Sequence, residues 1–130
     1  MKPKAKLLFA SLALASGLVQ AGDSYEEGRL AYERGDYAGA QAKLLVAARE
    51  GDAGAQEVLG FMYVLGPSLY PGVTRDLTAA ALWFERAARS GRPAARYMAC
   101  AMARREHASR PGAVYCFDRI AETGAPPAHR

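Results

Sequence analysis

With 130 residues, about half of them apolar, the chain has room for one compact domain or a short repeat array and no more. The formal net charge of +4 suggests a nucleic-acid partner, but Lys2, Lys4 and Lys6 account for most of it. Without them, 14 basic residues (17 − 3) face 13 acidic ones, a balance that disfavours a uniformly cationic nucleic-acid binder.

The first 21 residues read as a secretory signal peptide. Three lysines precede the apolar run Leu7–Val19, and Val19 and Ala21 are small enough for the −3 and −1 sites of a signal peptidase. The run is too short to span a bilayer, which takes roughly 20 apolar residues. The expectation is cleavage after Ala21, a periplasmic or secreted product, and no stable membrane insertion afterwards.

Residues 22–124 carry a repeated pattern. "LLVAAREG" (44–51) and "WFERAARSG" (83–91) close alike, and the spacing of Gly51, Gly91 and Gly124 divides the chain into units at about 24–50, 51–90 and 91–124. Each unit predicts two helices joined by a loop. In the second unit, Ala55, Leu59, Met62 and Tyr63 form one apolar stripe. Leu77, Ala80, Ala81, Phe84, Ala87 and Ala88 form another at the helical period, with Asp76 as N-cap and Gly91 as the C′ glycine. The abundant alanines favour helix and let neighbouring helices approach closely. Residues 125–130, "APPAHR", read as a disordered tail.

These residues carry a resemblance. Ala55 and Gln56, Leu59-Gly60, Tyr63, Gly66, Gly72-Val73, Asp76, Ala80, Trp83-Phe84, Ala87-Ala88 and Gly91 resemble a Sel1-like repeat, a relative of the tetratricopeptide repeat. Gly28, Ala40, Leu44 and Ala47 place the first unit nearer a plain tetratricopeptide helix pair. The resemblance implies an all-α fold: a short right-handed α-solenoid of about three antiparallel helix pairs. Two departures stand out. The loop "GPSLYPGVTRD" (66–76) is longer than the family's usual turn, and Tyr70 at its tip is a candidate contact residue. In the third unit, Cys100 aligns with Gly60 and Cys116 with Trp83, the aromatic expected to fill against that glycine. An even cysteine count behind an export signal predicts a Cys100–Cys116 disulfide, the alternative being two buried thiols.

Function is less legible. No Ser-x-x-Lys, His-x-x-x-His, Gly-x-Ser-x-Gly or glycine-rich phosphate loop is present, so the expectation is no catalysis, no metal and no cofactor. The alternative of a small periplasmic hydrolase finds no nucleophile pattern. Stacked helix pairs present an inner face made by their first helices. Positions on those helices pointing off the core stripe are Tyr25, Arg29 and Tyr32; Glu57, Phe61 and Val64; and Tyr97, Ala101 and Arg104. Aromatics beside arginine are enriched at protein contacts. The expected function is therefore an adaptor binding a partner protein or peptide in a concave groove, with Arg29 or Arg104 taking carboxylates. A second reading uses charge: residues 22–57 hold eight acids and four bases, residues 75–130 ten arginines and five acids. The basic half could bind an anionic glycan or membrane surface.

Overall fold

The computed structural model describes residues 21–105 and Cys116. Among these are five α-helices: α1 (Ala21–Glu33), α2 (Tyr37–Arg49), α3 (Ala53–Leu65), α4 (Leu77–Arg89) and α5 (Pro93–Arg105), with a 3-10 turn at Gly66–Ser68. Each α-helix has 13 residues, and each packs on the next in chain order. The chain is all-helical over the described residues. Of the expected signal peptide (1–21) only Ala21 is described, as the first residue of α1; the second helix of the third unit, apart from Cys116, and the tail at 125–130 also lie outside the described residues.

The turns explain the repeated ending. After α1, α2 and α4 the chain reverses in three residues, and the middle one is a glycine at positive φ: Gly35 (+76°), Gly51 (+102°) and Gly91 (+84°). At each, the glycine N–H reaches back three residues, to Tyr32, Ala48 or Ala88. The following N–H reaches back five, to Ala31, Ala47 or Ala87. This is the Schellman pattern, which satisfies carbonyls a helix end otherwise leaves open. Asp36 and Asp52 then cap the next helix, their Oδ1 accepting from Gly39 N–H at 2.9 Å and Ala55 N–H at 2.7 Å. Asp76 does the same for α4, accepting from Ala79 N–H at 2.9 Å.

Each helix pair also closes on a residue at the same register. Gly28, eighth in α1, lies so close to Leu44, eighth in α2, that an added Cβ would stand 2.8 Å from Leu44 Cγ. Gly60, eighth in α3, faces Phe84, eighth in α4, and its Cβ would stand 2.6 Å from the ring. The aromatic filling against Gly60 is thus Phe84, where the sequence alignment put Trp83. Trp83 turns the other way, onto the α1–α3 core, with the Arg86 guanidinium 4.8 Å from its ring centre. Cys100 is eighth in α5 and is bonded to Cys116, sixteen residues on, the same separation as Gly28 to Leu44. The disulfide therefore stands where the other pairs set a glycine against a bulky side chain, with Cα atoms 5.0 Å apart.

The long loop is part of the core. Tyr70 and Val73 are buried among α1, α2 and α3, so Tyr70 packs inward instead of standing at an exposed tip. Tyr70 N–H bonds the Gly66 carbonyl, Arg75 Nε donates to Val64 O at 3.0 Å, and Asp76 N–H to Tyr63 O at 3.0 Å. The last two bonds satisfy carbonyls at the end of α3.

Candidate functional site

A groove of about 470 Å³ opens between α1 and α3. One wall is Tyr25, Arg29, Tyr32 and Glu33 of α1; the other is Val58, Phe61 and Leu65 of α3. Leu44 and Tyr70 complete the lining. The α1 residues share a face because the spacings of three and four residues between 25, 29 and 32 match the helical period. Gly28 sets the position of that face, since only a residue without a side chain allows α1 this close to Leu44.

Aromatic contacts hold the groove's rings in place. Tyr32, Tyr37 and Tyr70 form a triangle with ring centres 5.2–5.7 Å apart, and Tyr32 donates its hydroxyl proton to Tyr70 Oη at 3.1 Å. Burial is the main cause that pushes the Tyr70 phenol up to about 12. On α3, Phe61 meets Phe84 edge-on at 4.9 Å, tying the groove wall to the second core.

The charges at the mouth are paired with one another. Arg29 Nε and Nη2 donate to the two oxygens of Glu26 at 2.9 and 2.5 Å, and Nη1 donates to Glu33. The Arg29 hydrogen bonds hold the Glu26 carboxyl below the usual range, and the glutamates, Glu26 foremost, raise the guanidinium well above its ordinary value.

The eight expected groove residues divide evenly. Tyr25, Arg29, Tyr32 and Phe61 line this one groove. Val64 is half-buried against the α4–α5 core. Tyr97 and Arg104 are exposed on α5, away from the groove lining, and the neighbouring Ala101 is half-buried there. Glu57 has a structural task. Arg92 follows Gly91 where Asp36 and Asp52 follow Gly35 and Gly51, and it offers no carboxylate to the next helix. Glu57 supplies one from α3: Oε2 accepts from Ala95 N–H at 3.2 Å, and Oε1 accepts from Arg92 Nε and Nη2 at 3.2 and 2.5 Å. The Glu57 bond is also what raises the Arg92 guanidinium's pKa. The expected groove set left out five lining residues: Leu44, Val58 and Tyr70, together with Leu65 and Glu33. Leu65 sits four residues after Phe61 and Glu33 four after Arg29, so the helical spacing that picked their neighbours reaches both.

Arginines of the basic half are engaged within the fold: Arg75 with Val64 O, Arg86 on Trp83, Arg89 with Glu85 and Arg92 with Glu57. Among the described residues, no three His, Cys, Asp or Glu side chains are grouped to hold a metal, and no helix is long and apolar enough to cross a membrane. No protein-family model matches the chain, and no curated protein or solved structure does either.

Proposed function

We propose that this protein is an exported, non-catalytic adaptor, a short solenoid of Sel1-like helix pairs that holds a segment of a partner protein in the α1–α3 groove. The observation that carries the proposal is the groove itself: four aromatic side chains from two helices and a loop line a concave surface beside half-exposed polar groups. Rings of this kind give large contact area at low entropic cost and are the side chains that anchor protein interfaces. The Cys100–Cys116 bond supports export, since such bonds persist in oxidising compartments. The engagement of Arg86, Arg89 and Arg92 weighs against the anionic-surface reading.

The test is affinity capture from the protein's own compartment with wild type and with Tyr25→Ala/Leu65→Asp, which alters the groove at its half-exposed and exposed positions. A partner held by wild type and released by the variant is the expected result. Identical partner lists overturn the groove's role.

A further inference from the structure

We infer that the segment taken by this groove is a basic one, a lysine or arginine carried among apolar residues. The inference rests on the adaptor reading and names its partner's chemistry. Arg29 is the cation in the groove wall, and it is already neutralised: Glu26 grips it through two hydrogen bonds and Glu33 through a third. One guanidinium against two carboxylates leaves the mouth at −1. The sequence of this half agrees in sign, with eight acids against four bases over residues 22–57, of which Glu57 is paired with Arg92. An incoming carboxylate meets a saturated arginine and two like charges. An incoming ammonium or guanidinium meets Glu33 and the aromatic side chains of Tyr25, Tyr32 and Phe61, residue types that together favour cations. The role assigned to Arg29 in the sequence, that of taking a carboxylate, thereby reverses: it orders the two glutamates.

The experiment is panning of a random peptide library displayed on phage against the purified protein, with the uncharged Leu65→Gln as the counter-selection. Sequences rich in Lys or Arg beside aromatic or branched apolar residues are expected. Synthetic versions of them should bind Arg29→Gln about two- to fivefold tighter, because removal of the positive charge leaves two half-exposed carboxylates. Glu26→Gln/Glu33→Gln should weaken them by a similar factor and shift the selected sequences toward acidic ones. All three positions are exposed or half-exposed on α1, and circular dichroism shows whether the helices persist. Acidic sequences selected by wild type and lost in Arg29→Gln overturn the inference while leaving an adaptor in place. Peptides selected without charge preference do the same. If no sequence depends on Leu65, the groove binds nothing and both readings fall.

Discussion

The α1–α3 half and the α3–α5 half are built on the same turn and the same register, yet they are filled differently. In the first, Leu44, Leu59 and Met62 are joined by Tyr70 and Val73 from the long loop, with Tyr25, Tyr32, Tyr37 and Trp83 packed at the edges. In the second, the buried side chains are Phe84 and five alanines, Ala80, Ala87, Ala88, Ala95 and Ala99, with Phe61, Tyr63, Val64, Met98 and Met102 packed at the edges. Alanine contacts bring backbones close but bury little area, and burial near 25 cal/mol per Å² is what stabilises a core. The alanine-rich half is also the half that carries the disulfide. Over the described residues, aromatic volume lies where it lines the groove, and the disulfide lies in the half whose buried side chains are mostly alanine.

The largest way to break this contrast is through Phe84, which is fully buried. Phe84→Ala should cost about 3–5 kcal/mol, measured by urea unfolding, because the surrounding alanines cannot collapse into the space. Its partner gives the sharper comparison. Gly60→Ala puts a Cβ 2.6–2.8 Å from three atoms of that ring and should destabilise by about 1–3 kcal/mol. Gly28→Ala meets Leu44 Cγ, Cδ2 and backbone N at slightly longer range, 2.8–3.2 Å, and the helix-propensity gain of about 1 kcal/mol is common to both glycines. The net effect of Gly28→Ala should be the smaller of the two. Equal costs at the two glycines would mean that the two closures are not distinguished by how closely the facing residue approaches.

Next in size is the disulfide. Reduction, or Cys100→Ser/Cys116→Ser, should cost about 3 kcal/mol in the chain-entropy account of a loop this short. If the bond replaces the glycine-against-bulky contact of the other pairs, Cys100→Gly/Cys116→Leu should recover part of that loss and make stability insensitive to reductant. A variant no better than the double serine would show that the shared register carries no shared packing.

Glu57 tests the turns. Its removal by Glu57→Ala should cost about 1–2 kcal/mol, with most of the effect from the lost cap on Ala95 N–H, since Arg92 is half-exposed and its ion pair is worth little in water. Adding Arg92→Asp should restore about 1 kcal/mol by giving α5 the local cap that Asp36 and Asp52 give α2 and α3. Thermal unfolding of the single and double variants measures both.

The fold was legible where local chemistry decides it. Asp76 as cap, Gly91 as turn residue and the buried stripe Ala80, Phe84, Ala87 and Ala88 all depend on neighbours within a few positions, and the structure has them as expected, while Leu77, the first residue of the expected stripe, is exposed at the start of α4. The cysteine pair was legible too, although the alignment behind it was one residue off in the second helix. It set Cys116 beside Trp83, and the register of contacts sets it beside Phe84. Trp83 and Phe84 are adjacent and both aromatic, so the sequence pattern alone does not say which faces the glycine. The site was half legible. Helical spacing gathered Tyr25, Arg29, Tyr32 and Phe61, but it could not register that Glu57 answers a missing cap 38 residues away. The inward fold of Tyr70 was hidden for the same reason: its partners Tyr32 and Tyr37 lie on other elements.

Tyr70 offers the smallest and most selective probe of the aromatic half. Its folded-state value near 12 lies above the ordinary phenol value of 10. The fold therefore favours the protonated form, and the stability this brings is whole below pH 10 and is lost as pH rises toward 12. A pH series of tyrosinate absorbance on the folded protein should show a late step from Tyr70, and Tyr70→Phe should abolish it. At neutral pH the same variant should lose no more than about 1 kcal/mol, the worth of one hydrogen bond whose donor, Tyr32, is half-buried. The two halves should then part under alkali: amide exchange should accelerate first in α1 and α2, while the α4–α5 pair, whose fully buried described residues include no tyrosine, keeps its protection. Simultaneous loss in both would mean that α3 couples the cores into one cooperative unit, and that the contrast between them is one of composition alone.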